Sequence, residues 1–192
     1  MDNKKDKRRL IIEAAMKIFA RDGFHKATIS DIAEVAGIGK GTVYEYFNSK
    51  TELFEDMIKH TLEVCLENIE IILENNDSFM NKLRSFVVLA ITLTQRHLDM
   101  GRIYSHETGL VCENIINMIL DNQKRIVEMI EQVLREGVES KQLRPVDLRI
   151  AALSFIGGLK HIIMYNYFVY NRSMTESEID EYIDIFVRGL IK

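Results

Sequence analysis

The chain has 192 residues, 47% hydrophobic and 28% charged, with one proline and ten glycines, a composition that can bury a core and excludes a disordered chain or a collagen-like repeat. Its net charge of −4 is unevenly spread: residues 1–50 carry ten Lys/Arg against seven Asp/Glu, residues 51–192 fifteen against twenty-two. A basic amino-terminal end on an acidic body reads either as a part that meets a polyanion joined to one that does not, or as a chance asymmetry of a few charges.

Apolar residues recur at helical spacing from end to end, and no alternating Val/Ile/Thr/Tyr run lies between hairpin turns, so an all-α fold is expected. The start, Met1-Asp2-Asn3-Lys4-Lys5-Asp6, lacks the apolar core of a secretory signal. No run reaches about 18 uninterrupted apolar residues. Cys65 and Cys112 stand apart without a CxxC. A cytoplasmic protein with reduced thiols and no membrane partner is the expectation.

The first helix carries Ile11, Ala14, Ala15, Ile18 and Phe19 on one face and should stop at Arg21-Asp22-Gly23. The second opens at Thr28-Ile29-Ser30-Asp31, a threonine cap with an acidic residue three later, shows Ile29, Ile32, Ala33 and Ala36 on one face, and ends at Gly37. A short third helix over about 40–47 follows. Ser49-Lys50-Thr51-Glu52 then caps a long helix to about 75, with Phe54, Met57, Ile58, Leu62, Cys65, Ile69 and Ile72 on its buried stripe, broken by Asn75-Asn76-Asp77. Further helices are expected at about 78–98, 101–107, 110–140, 146–170 and 176–191, the last behind the Thr175-Glu176-Ser177-Glu178 capping box.

Residues 24–50 are the most informative. Ala33 is small enough for two helices to approach, Gly37 permits a sharp turn, and Ile38 and Val43 supply the apolar seam. That is the logic of a helix-turn-helix. Lys40, Thr42, Tyr44 and Tyr46 then make the helix after the turn polar, as a helix lying in a DNA major groove must be. Lysine and tyrosine groups would hold phosphates, while Thr42 and the backbone at Gly41 would touch base edges or a thymine methyl.

The same stretch resembles the tetracycline-repressor (TetR) family of bacterial transcriptional regulators. The resemblance rests on Ile12-Glu13-Ala14-Ala15 with Phe19 and Gly23-Phe24, on Ala27-Thr28-Ile29 with Ile32-Ala33 and Ala36-Gly37-Ile38, and on Lys40-Gly41-Thr42-Val43-Tyr44 with Tyr46-Phe47, Ser49-Lys50 and Leu53. It is strong over about the first fifty-five residues. Beyond them only helix layout and length are similar. The resemblance implies that Thr28 and Lys50 hold DNA phosphates at helix amino ends. It also implies that Lys40, Gly41, Thr42 and Tyr44 lie on the recognition helix, with Gly41 letting the backbone approach the DNA. Tyr46 stands where the family often has histidine and Gly39 where it often has serine, and Glu45 adds a negative charge. These departures alter the base contacts and leave the docking mode intact. The expected division is a DNA-binding domain at 1–48 and a ligand-binding and dimerisation domain at 49–192. The tail from Lys4 to Arg9 reads either as added backbone or minor-groove contacts or as a solvated end. Phe47 and Tyr44 have an alternative role as plugs of the small core, favoured for Phe47.

Two other patterns fail. Gly37-Ile38-Gly39-Lys40-Gly41-Thr42 looks like a phosphate loop, but Gly41 separates lysine from the hydroxyl and an amphipathic helix precedes it. His106-Glu107 begins a zinc-protease pattern that has Leu110 where histidine is required. No metal, cofactor or catalytic residue is expected, and His60, His97 and His161 are scattered.

The segment 148–170 is apolar nearly all round, which requires cover on every side. A second copy of the chain is the expected cover, the alternative being a monomer with a central buried helix. Gly157-Gly158 would let two backbones come close, and the final helix, with Ile179, Tyr182, Ile183, Phe186, Val187 and Leu190, would complete a twofold four-helix interface. Phe155, Gly157, Gly158, Ile162, Tyr182 and Phe186 are the candidate interface residues. For an effector pocket the candidates are Phe86, Met100, Tyr104, Met118, Phe155, Met164 and Tyr165, with His97, Arg102, His106 or His161 as polar anchors, although for each the core is the favoured role. The function expected is a homodimeric, ligand-responsive repressor that binds a palindromic double-stranded DNA operator and is released by a small apolar or amphipathic effector. An all-helical enzyme and a helical protein-interaction module with an incidental basic end are the alternatives.

Overall fold

A computed structural model describes residues 2–106 and 113–190, with side chains described over 6–94 and 113–190. Its helices are α1 (Asp2–Lys26), α2 (Ile29–Ala36), α3 (Lys40–Tyr44), α4 (Lys50–Glu74), α5 (Phe79–His106), α6 (Glu113–Glu139), α7 (Leu148–Tyr170) and α8 (Glu176–Arg188). No strand occurs among the described residues, and the all-α expectation holds.

Local chemistry sets the boundaries. Gly23 takes φ 75° and breaks α1 where the sequence predicts a stop, after which one more turn runs to Lys26. Gly37 takes φ 68° and ends α2 in a left-handed cap, with the Ile38 amide donating back to the Ala33 carbonyl at 3.0 Å. α5 runs unbroken across Met100-Gly101, where the sequence predicts two helices. A lone glycine costs a helix only about 1 kcal/mol, too little to end a long one. Residues 4–9 form the first turns of α1 and are not a separate tail. Arg8 there pairs with Asp56 and lies over the Phe47 ring at 5.4 Å.

The chain divides into two compact units, Met1–Glu63 with His97–Ile119, and Val64–Arg96 with Leu120–Lys192. α4, α5 and α6 each contribute residues to both. The first unit centres on Phe19, Phe24 and Phe54, whose rings lie 5.2–5.6 Å apart, surrounded by Ile11, Ile32, Val43, Phe47, Leu53 and Ile115. Phe47 is buried in this core, the structural role the sequence favoured for it.

The second unit centres on Phe155, which packs on Phe86, Tyr182 and Phe186 at 4.9–5.9 Å. Leu83, Val87, Leu134, Ala152, Leu159 and Ile183 complete that core. Beside it the buried Lys82 ammonium donates to both carboxylate oxygens of Glu136 at 2.8 and 3.0 Å, which keeps a buried charge paired.

The face of α7 formed by Ala151, Ala152, Phe155, Leu159 and Ile163 is buried within the chain. On the opposite face Ile150, Leu153, Tyr165 and Phe168 are 47–63% exposed. The helix as a whole is long and apolar enough to cross a membrane by length and composition, although it carries Arg149 and Lys160 and contributes to the core just described.

Candidate functional site

Two features stand out. The first is α2, the Gly37 turn and α3. Thr28 caps α2 reciprocally: its Oγ1 accepts the Asp31 amide at 3.2 Å, and an Asp31 carboxylate oxygen accepts the Thr28 amide at 3.2 Å and its hydroxyl at 2.6 Å. Thr28 is exposed at that helix end. α3 is short, Lys40–Tyr44, but the amides of Tyr46 and Phe47 still donate to the Val43 carbonyl, so the turn continues across the 40–47 range the sequence predicts. Val43 and Phe47 anchor it inward, leaving Lys40, Gly41 and Tyr44 exposed and Thr42 half-buried on the outer side. Tyr46 packs partly against the first core. Lys40 has no ion pair among the described residues.

Lys50 is placed differently from a side chain reaching outward. Its ammonium donates to the carbonyls of Phe24 (2.6 Å), Ala27 (2.9 Å) and His25 (3.3 Å) and sits over the Phe24 ring at 4.5 Å. Three donors meet three acceptors. The residue pins the start of α4 to the stretch of backbone where α1 gives way to α2, where carbonyls at a helix end lack intrahelical partners.

A glycine within α3 lowers helix stability, so Gly41 needs a reason. A Cβ built there meets nothing within 4 Å. Among the described residues nothing requires that position to be bare.

The second feature is a cavity of about 210 Å³ inside the second unit. Cys65 and Ile69 from α4, Phe86, Leu89, Ala90, Leu93 and Thr94 from α5, Ile126 from α6, and Ile156, Leu159, Lys160 and Ile163 from α7 line it. The wall is apolar apart from Lys160, the Thr94 hydroxyl, which donates to the Ala90 carbonyl at 2.7 Å, and the Cys65 thiol, whose pKa burial pushes up. Among the described residues no cluster of His, Cys, Asp or Glu could hold a metal ion.

Of the expected pocket residues, Phe86 lines this cavity. Phe155 is fully buried in the core beside it, Met118 belongs to the first unit, Met164 is not on the wall, and His161 and Tyr165 are exposed on the outer side of α7 with rings 6.4 Å apart. The side chains of His97, Met100, Arg102, Tyr104 and His106 lie outside the described residues, as does Cys112. The sequence reading missed Ala90 and Lys160: a small residue that leaves room and a lone cation in an apolar helix were the available signals.

At the expected interface, Phe155 is taken up by its own core. Gly158 makes room for the chain's own Tyr182: a Cβ there would stand 3.3 Å from the Tyr182 hydroxyl, which donates to the Phe155 carbonyl. Burial raises the pKa of that phenol to about 12. Ile162, Tyr182 and Phe186 are half-buried around the same core. Gly157 faces open space.

The family model for bacterial regulatory proteins of the tetR family matches residues 11–57, and that for the tetracyclin repressor-like C-terminal domain matches residues 76–190. The fatty acid metabolism regulator protein of Bacillus subtilis (strain 168) is 25% identical over 167 residues, 85% of this chain and 84% of its own length. PfmR, a TetR family transcriptional regulator of Thermus thermophilus, superposes with a TM-score of 0.70 at 26% identity, covering 95% of this chain and 99% of that one. The transcriptional regulator FadR of Bacillus subtilis, solved in complex with stearoyl-CoA, shares the fold, with a TM-score of 0.75 at 20% identity over 95% and 98% of the two chains.

Proposed function

The chain belongs to the tetR family of bacterial regulatory proteins, and on that premise we propose that it is a homodimeric cytoplasmic repressor that grips a palindromic operator through two α2–α3 motifs. In this reading it releases the operator when an apolar or amphipathic effector, an acyl chain by preference, enters the cavity of the second unit. The observation that carries the DNA-binding half is the outer side of α3: Tyr44 exposed and, among the described residues, Lys40 without an ion pair and Gly41 without an internal cause to be bare. Lys40 and the cap at Thr28 hold phosphates, while Gly41 and Thr42 approach base edges. Tyr46 steadies α3 from the core side, and Lys50 holds the α1–α2 connection that presents Thr28.

A single motif binds weakly, and two tied together read two half-sites, about 34–36 Å apart. The outer face of α7, from Ile150 and Leu153 past Gly157 to Tyr165 and Phe168, is the surface assigned to the second copy. An exposed apolar stripe of this length marks an interaction site, and a twofold axis lets one stripe cover another.

Support for an acyl effector is chemical. The cavity wall is apolar with one cation, Lys160, and the Bacillus subtilis relative is a fatty acid metabolism regulator. At about 210 Å³ the cavity is smaller than the roughly 300–1,000 Å³ of ordinary ligand sites, so entry widens it. That widening is the switch. Moving a population from 99:1 to 1:99 takes about 5.5 kcal/mol of differential affinity; at about 0.8 kcal/mol per methylene, about seven CH₂ groups buried in one state and not in the other supply it. α4 carries Lys50 at its start and Cys65 and Ile69 on the cavity wall further along, so one helix serves both events.

The test is binding of the full chain to duplex DNA from its own upstream region, repeated with saturated acyl compounds added. Sequence-selective binding that the acyl compounds relieve is expected; binding with no sequence preference, or none at all, defeats the reading.

A further inference from the structure

Two buried side-chain amides in the second unit have oxygens that none of the described residues satisfies. Asn122 on α6 is 7% exposed, Asn166 on α7 is 5% exposed, and Oδ1 of each is buried without a hydrogen-bond partner. Asn166 cannot cure this by turning its amide over, because Nδ2 already donates to the Ile162 carbonyl at 3.1 Å. Reversal would set two oxygens face to face. Buried acceptors are nearly always paired in native proteins, because leaving one bare forfeits its hydration with no return. Leucine would fill either place without that penalty.

The positions of the two residues point to the cavity. Asn122 precedes Ile126 by four residues and Asn166 follows Ile163 by three, and both isoleucines are cavity wall. Each asparagine therefore lies one helical turn further along the face that lines the cavity. α6 and α7 are joined by only residues 140–147, a length typical of antiparallel neighbours. A step toward the start of α6 and a step toward the end of α7 then lead the same way: neither asparagine is on the cavity wall, and each lies one turn beyond the same end of it, where the widening that entry requires would reach. Lys160, six residues before Asn166, stands about 9 Å back along the axis at 1.5 Å per residue.

We infer that Asn122 and Asn166 become a hydrogen-bond-accepting end of the effector cavity when it widens, selecting a chain that carries a hydroxyl or amide N–H at that end and an anionic group toward Lys160. The inference rests on the cavity being the effector site. Unmodified hydrocarbon leaves both oxygens bare and binds less well; a donor at the chain end satisfies one of them.

Calorimetric titration of the purified full chain with octanoate and 8-hydroxyoctanoate tests this. The hydroxylated probe is expected to bind about tenfold more tightly, the worth of one hydrogen bond to an otherwise unpaired acceptor. In an Asn122→Leu/Asn166→Leu variant that advantage disappears while octanoate binds at least as well. Ala90→Phe, which fills the cavity, should abolish binding of both probes. Equal binding of the two probes to the parent, or a preference that survives the double substitution, overturns the inference and leaves the cavity reading standing if Ala90→Phe still blocks octanoate. Absence of binding by either probe, or binding that Ala90→Phe leaves intact, overturns both. Should the double variant fail to fold, the ratio of the two probes on the parent chain decides.

Discussion

Two glycines show how an empty position is to be read. At Gly137 a Cβ would stand 2.7 Å from Leu143 and 3.2 Å from Phe79, so packing within the chain demands the glycine. At Gly41 it would meet nothing. Gly41→Ala is therefore expected to leave the melting temperature unchanged or raised, since alanine is worth up to about 1 kcal/mol over glycine in a helix, while operator affinity in a gel-shift titration falls about tenfold or more. A loss of stability together with affinity would return the glycine to an internal role. Lys50 calls for a different readout. A phosphate contact removed by substitution lowers the salt slope of DNA binding by about one unit. With its donors engaged by Phe24, His25 and Ala27, Lys50→Met is expected to weaken binding and lower thermal stability while the slope stays as in the parent. A slope reduced by one, with stability intact, would restore the direct contact implied by the family resemblance.

Helix ends and helix faces give the next predictions. Glu178 closes the α8 capping box with Thr175 and accepts two hydrogen bonds from Arg172, which with the Thr175 amide holds its carboxyl down at about 2. A depressed carboxyl stabilises the fold above its unfolded pKa of about 4.5 and loses that contribution as pH falls through about 2. Glu178→Gln is thus expected to melt below the parent at pH 7, with the gap closing between pH 4.5 and 2 in thermal melts. On α7, Gly158→Glu drives a side chain into Tyr182 and should destabilise the second unit. Gly157→Glu enters open space and should sediment as a folded monomer. Elements of this kind were largely legible in the sequence, because caps such as Thr28 with Asp31 and stops such as Gly37 act over three or four residues. The continuity of α5 was not, since Gly101 looks alike in a break and in an unbroken helix. Nor was the cavity, whose wall is assembled from four helices and depends on which apolar residues fail to meet. Phe155 illustrates the limit: an aromatic on an all-apolar helix fits an interface, a pocket and a core, and only packing on Phe86, Tyr182 and Phe186 decides for the core.

For the whole molecule, affinity for DNA should follow assembly. Leu153→Glu with Phe168→Glu places charge on the exposed α7 face without touching either core, and the expected result is a folded monomer whose operator affinity falls to that of nonspecific binding, measured by sedimentation and fluorescence anisotropy. A variant that remains dimeric would move the interface elsewhere. The basic end and the acidic body, legible from charge alone, do not map onto a simple cut in the chain. Ile115, from α6, is 1% exposed and sits in the first core, more than fifty residues beyond the last of α4's contributions to it. The polypeptide leaves the amino-terminal unit along α4, re-enters it with α5, and departs again along α6. A fragment ending after α4 would expose a hole where Ile115 belongs, so the reading head is no detachable cassette: exchanging it between relatives would require carrying a distant stretch of sequence along, and insertions into α5 or α6 would be felt at the DNA end of the protein.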